Sequence, residues 1–146
     1  MGNLINNPII PGFYPDPSIC RVGEDYYIVC SSFEAYPGLP VFHSKDLAHW
    51  EQICYAMTMD NGFHVDTNTW AGGVMAPTIR YHEGTYYIMN CNFADRGNFI
   101  VTASDPAGPW SDPIWLDDIP GIGPERRKAL MKAFDSIEDI KNASVE

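Results

Sequence analysis

Basic residues are scarce in this chain: nine Lys and Arg stand against nineteen Asp and Glu, for a formal net charge of −10 and a sequence pI of about 4.6. An excess of that sign opposes unassisted attraction to nucleic acid or anionic lipid and suits a neutral partner. Cysteine is sparse too. Cys20, Cys30, Cys54 and Cys91 stand singly in apolar surroundings with no CxxC pair, so neither a disulfide framework nor a zinc site has its usual spacing. All four read as buried small hydrophobes. His43, His49, His64 and His82 lack metal-ligand spacing as well; structural or surface roles are expected, with no metal and no cofactor. No apolar run approaches the roughly 18 residues that span a bilayer. The first residues lack the basic, apolar and small-residue succession of a secretory leader. The expectation is a cytoplasmic protein with no membrane association.

What is present is enough for one ordinary domain: 146 residues, 45% hydrophobic and 19% charged. The charge is unevenly spread. Residues 1–118 hold 4 Lys and Arg against 14 Asp and Glu, whereas residues 119–146 hold 5 of each. Two segments with those boundaries are therefore expected.

An internal repeat sets the expected architecture. PSICRVGEDYYIVCSSF, from Pro17, returns 60 positions later as PTIRYHEGTYYIMNCNF, from Pro77, without a gap. Pro17, Ile19, Tyr26, Tyr27, Ile28 and Phe33 match Pro77, Ile79, Tyr86, Tyr87, Ile88 and Phe93, and the register carries on to Ser44/Ser104 and Trp50/Trp110. Each unit reads as four short strands bounded by turn residues. They lie near Ser18–Val22, Asp25–Ser31, Val41–Ser44 and Gln52–Ala56, then Thr78–Tyr81, Thr85–Asn92, Phe99–Ala103 and Pro113–Leu116. The fold class expected is mainly β, two four-stranded antiparallel propeller-type blades followed by a short α-helical hairpin. A stacked sandwich satisfies the same strand pattern. Because repeat arrays bury their faces against neighbours and generally need three or more units, two blades alone leave apolar faces that favour self-association.

The stretches NPIIPGFYPDPSICRVGEDYYIVCSSF, FEAYPGLPVFHSKDLAHW and WAGGVMAPTIRY resemble the amino-terminal part of family 43 glycoside hydrolases, most closely the β-xylosidase and α-arabinofuranosidase branch, over about residues 7–122. The resemblance implies a five-bladed propeller that inverts configuration at a pentose-containing saccharide. It assigns a general-base Asp to blade one, a second Asp to blade three and a general-acid Glu to blade four. Asp16, in YPDPS, matches the base. Taken without the family, Pro15-Asp16-Pro17 reads equally as turn chemistry or as a carboxylate held in extended backbone by two prolines. Phe33 and Trp70 match the apolar wall and floor of the sugar pocket, where CH faces of a sugar pack on aromatic rings and the glycines beside Trp70 permit close backbone approach. Met75 stands where many relatives carry Trp.

The family continues as IPGIDPS; here the letters are IPGIGPE, so Gly123 takes the place of the blade-three Asp. A position for the general acid is absent as well. Proton transfer partners typically contribute ~10²- to 10⁴-fold each, so little or no hydrolysis is expected of these residues alone. As substitute carboxylates, Asp105 reads as the start of a turn, while Asp95 and Glu34 follow the second strands.

From Leu116, LDDIPGIGPERRKALMKAFDSIEDIKNASVE resembles the helix-hairpin-helix region of the excision-repair nuclease UvrC, which makes the chain a chimera. Local chemistry agrees with a helical hairpin: Pro124 suits a first helical position, Ala129, Leu130, Ala133 and Phe134 form one stripe, and Ser136 with Asp139 has capping-box spacing. The resemblance implies weak, salt-dependent nucleic-acid binding through Gly121, Ile122, Gly123, Arg126, Arg127 and Lys128. A packed hairpin with a solvated basic face, covering a blade, is the alternative.

Overall fold

The structure, a computed structural model, describes residues 5, 7–62, 72–93 and 96–116. The chain divides into two compact units, Met1–Trp115 and Leu116–Glu146. The expected hairpin and its six candidate DNA contacts, Gly121, Ile122, Gly123, Arg126, Arg127 and Lys128, lie outside the described residues, as do Trp70 and Asp95.

Eight strands make up the first unit: β1 (Ser18–Val22), β2 (Asp25–Val29), β3 (Gly38–Ser44), β4 (Glu51–Met57), β5 (Val74–His82), β6 (Thr85–Asn92), β7 (Gly97–Ala103) and β8 (Ile114–Trp115). They form two antiparallel meanders, β1-β2-β3-β4 and β5-β6-β7-β8, with no strand crossing between sheets. The fold is mainly β in two four-stranded sheets, as the repeat predicts. Both opening hairpins turn in two residues, with Val22 opposite Asp25 and His82 opposite Thr85. Gly23 (φ 61°) and the pair Glu83 and Gly84 (φ 45° and 84°) supply the left-handed backbone that such turns demand.

Side-chain parity shows how the sheets stack. On β2 the odd residues Tyr27 and Val29 are buried toward the second sheet; on β6 it is the even residues Tyr86 and Ile88 that meet them. Tyr27 and Tyr86 touch edge to face, ring centroids 5.2 Å apart at 76°. The repeat offset of 60 is even, so the front of blade one packs on the back of blade two. This head-to-tail stacking is how propeller blades succeed one another, whereas a sandwich built from a two-fold pair would put like faces together. Leu39, Val41, Val74, Ile79, Ile88, Phe99 and Val101 fill the seam with no accessible surface. Each contributes roughly 1.5–3 kcal/mol by leaving water.

The two outer faces differ. Behind blade one, Ile28, Cys30 and Phe42 are covered by Ile10, Tyr14 and Trp50, with the Tyr14 ring edge-on to Phe42 at 4.9 Å. In front of blade two, Tyr87, Met89 and Ile114 keep 37%, 44% and 47% of their surface exposed. Not every tyrosine is therefore packing material, and three of the four cysteines are only half-buried, Cys30 alone being fully enclosed.

Strand ends depart from expectation for identifiable reasons. β3 starts three residues early, running through Pro40, which pairs with Tyr55 of β4 and whose carbonyl still accepts the Cys30 N–H at 3.2 Å although the proline has no N–H to return. β5 starts four residues early, passing Pro77 through an irregularity between Met75 and Thr78. β8 is two residues, because Pro113 has no N–H to offer; Ser111 extends the pairing, its N–H donating to the Thr102 carbonyl at 2.8 Å. β2 ends at Val29, two residues short of Ser31, because the backbone of Ser31 is engaged elsewhere.

Candidate functional site

Beyond β2 the chain carries Ser31, Ser32 and Phe33 across to the start of blade two. Phe33 and Val74 form an isolated antiparallel bridge, each N–H donating to the other's carbonyl at 3.0 and 3.1 Å. Gly73 makes that approach feasible. Its φ is 85°, and a Cβ there would lie 2.1 Å from the Phe33 carbonyl oxygen. At Gly73 the close approach is to the backbone of Phe33. The Phe33 ring is half-buried and sits 5.9 Å from that of Phe13, itself exposed.

Asp16 lies in the turn leading into β1 and is solvent-exposed. Its backbone is left-handed, φ 52°, not the extended form that flanking prolines favour. The conformation belongs to the repeat: the equivalent Ala76, preceded by Met75 and followed, like Asp16, by a proline, has φ 45°. Asp pays less than most residues for this conformation, which suits it to the position. One side-chain hydrogen bond fixes the carboxylate: Ser31 Oγ donates to Asp16 Oδ2 at 2.8 Å. Ser31 is 1% exposed. Its own Oγ accepts the Ala76 N–H at 2.6 Å, and its N–H donates to the Pro15 carbonyl at 2.9 Å. Among the described residues Asp16 Oδ1 has no hydrogen bond and is the oxygen available to a water. Burial, followed by the negative charge of Asp16, pushes the nearby Cys30 thiol up to about 11, so Cys30 is not a nucleophile here.

The structure thus brings Asp16 and Phe33 to the same end of the blades, through Ser31 and Val74. Asp105 is the turn residue expected: its Oδ1 accepts the Ala107 N–H at 2.8 Å, and its carbonyl accepts the Gly108 N–H at 2.9 Å. Sequence reading passed over Ser31 and Phe93. Phe93 is the repeat mate of Phe33, 68% exposed, with its N–H donating to the Gly73 carbonyl at 3.0 Å. The match of Phe33 to Phe93 at an offset of 60 was the signal for it; a serine two residues past a strand gives none.

The chain has relatives among known proteins. The chain is 54% identical over 123 residues to a xylosidase/arabinosidase of Butyrivibrio fibrisolvens, covering 83% of this chain and 24% of that protein. It is also 54% identical over 114 residues to a non-reducing-end α-L-arabinofuranosidase of Bacteroides ovatus, covering 75% and 22%. Among solved structures, a xylan β-1,4-xylosidase of Bacillus halodurans superposes with a TM-score of 0.72 at 44% identity, over 77% of this chain and 23% of that one. The chain therefore spans about a quarter of the length of the relatives it matches. A SAM-like helix-hairpin-helix tandem model matches residues 116–146. The model of glycosyl hydrolases family 43 matches residues 5–126, and the chain belongs to that family.

Proposed function

We propose that these residues form the water-activating half of an inverting pentosidase site, with Asp16 as general base and Phe33, together with Trp70, as the apolar surface for the sugar ring. The observation that carries the reading is the tethered carboxylate: Oδ2 is held by Ser31 and Oδ1 is left to take a proton from water. In an inverting hydrolase the base deprotonates a water on one face of the sugar, while an acid roughly 6.5–9.5 Å away protonates the leaving oxygen. Asp16 answers to the first of these functions; Gly123 stands where the family's blade-three Asp would be, and none of the 146 residues matches the general-acid Glu of blade four. The substrate class, a terminal xylose or arabinose unit, is taken from the activities of the relatives.

Leaving-group dependence tests this. A 2,4-dinitrophenyl pentoside leaves without a proton, whereas a methyl pentoside needs one. The chain should release dinitrophenolate slowly but above the buffer rate and leave methyl xyloside and methyl arabinoside intact. Turnover of the methyl compounds would mean that a proton donor is present, and no release from the dinitrophenyl compounds would refute water activation.

The front of blade two, where Tyr87, Met89 and Ile114 are partly exposed, favours a second property, self-association of the chain. The overlap of the two family matches at residues 116–126 supports reading the chain as a chimera joined there.

A further inference from the structure

Ser31 is a buried residue with three polar links to two other segments: its hydroxyl meets the Asp16 carboxylate and the Ala76 amide, and its backbone N–H meets the Pro15 carbonyl. The direction of these bonds is forced. An amide N–H only donates, so the 2.6 Å contact from Ala76 occupies a lone pair of Ser31 Oγ and leaves its single proton for Asp16 Oδ2. A neutral donor aimed at a carboxylate makes a charge-assisted bond, stronger than its neutral counterpart. Ala76 is also the repeat mate of Asp16 and has the same left-handed backbone, φ 45° against 52°. The hydroxyl therefore spans the two equivalent positions of successive blades.

We infer that Ser31 is a positioning residue for Asp16, holding one carboxylate oxygen against blade two so that the other is presented to water. The inference rests on the reading of Asp16 as the base, and goes beyond it by making the aim of that base depend on the neighbouring blade. An Asp side chain on an exposed turn ordinarily samples several rotamers. Here the tie selects one. Near-attack geometry is sensitive to displacements of about 1 Å, which cost on the order of 10²-fold in rate, so loss of the tie should lower kcat with little change in KM.

The test begins with a readout that needs no turnover. Three-bond couplings report the χ1 distribution of Asp16 in the wild type, Ser31→Ala and Ser31→Thr. A single rotamer is expected in the wild type, averaging in Ser31→Ala, and a return to one rotamer in Ser31→Thr, which keeps the hydroxyl. The Ile79 amide, bonded to Ser18 Oγ at 3.2 Å, monitors the same seam independently and should keep its exchange protection in all three. Should Ser31→Ala not fold, Ser31→Cys keeps the shape with a weaker donor and should show partial averaging. An Asp16 rotamer that is unchanged in these variants overturns the inference. On a dinitrophenyl pentoside, Ser31→Ala should lower kcat about 10- to 100-fold, with Ser31→Thr recovering most of it. If Asp16→Asn leaves that rate unchanged, the base reading fails while the rotamer result stands. If Asp16→Asn abolishes it and Ser31→Ala has the wild-type rate, Ser31 does not position the base.

Discussion

Blades one and two are built on one plan yet carry different chemistry, and the differences fall at particular residues. Positions 16 and 76 share a left-handed backbone, but one holds a carboxylate and the other a methyl group. Leu39 and Phe99 are repeat mates, both without accessible surface. Phe13 and Gly73 are repeat mates too, and here the blades diverge: Phe13 is exposed beside the Phe33 ring, while Gly73 has the Phe33 carbonyl where its Cβ would be. The backs and fronts also differ, since an amino-terminal segment covers blade one and nothing among the described residues covers the front of blade two. Backbone strain thus belongs to the repeat, whereas function is a few side chains placed on it. Non-glycine residues in that region cost of order 1–3 kcal/mol each, and both blades bear the cost although only one gains a carboxylate from it.

Substitutions at paired positions break or sharpen the comparison. The shared core should respond most strongly: Phe99→Ala should lose about 3–5 kcal/mol and Leu39→Ala about 2–5 kcal/mol by denaturant unfolding, and a loss in only one blade would mean that the seam is not a common core. Next comes Gly73→Ala, which should cost more than about 1 kcal/mol, because the new Cβ would meet the Phe33 carbonyl as well as a left-handed backbone, and should weaken the Phe33–Val74 bridge. Gly84→Ala has similar φ but nothing within 4 Å of the new Cβ, so it should cost only about 1 kcal/mol. Equal melting temperatures for these two variants would remove the case for close packing at Gly73.

Met89→Lys should leave unfolding nearly unchanged while shifting sedimentation toward the monomer, because it charges a partly exposed face and no core position. A lysine at buried Ile28, on the covered back of blade one, should instead unfold the chain.

The smallest effect is acid sensitivity, and it should map to blade one. Asp25 is held below the usual carboxylate range by hydrogen bonds from His43, at 2.6 Å, and then Lys45. Asp46 is lowered too, by the His49 side chain and then by backbone N–H groups. A folded value below the unfolded one means that their contribution is complete above about pH 4 and disappears as pH falls through the folded values. Their repeat mates are Thr85 and Pro106, which do not titrate. Denaturant midpoints between pH 7 and pH 2.5 should therefore fall less steeply in Asp46→Asn than in the wild type, and parallel curves would contradict this.

Much of the fold was legible in the sequence because it is written twice. The offset of 60 fixed which residues share a face, and alternation along β2 and β6 then fixed which face is buried. Strand ends were less legible, because they depend on partners: Pro40 and Pro77 look like strand breakers until the pairing of Pro40 with Tyr55 and the irregularity at Pro77 are known. At the site, Asp16 and Phe33 could be found from YPDPS and SSF. The left-handed turn at Asp16 could not, since two flanking prolines favour extended backbone and the conformation belongs to the repeat, as Ala76 shows. Ser31 was equally hidden, because its importance arises from an amide 45 residues away.

The central claim is that Asp16 activates water from a position set by the repeat. It is tested most directly by the rate at which the chain releases dinitrophenolate from a 2,4-dinitrophenyl xyloside or arabinofuranoside, in the wild type and in Asp16→Asn. Loss of a general base predicts a fall of ~10²- to 10⁴-fold with the fold intact by circular dichroism; equal rates in the two proteins would contradict it.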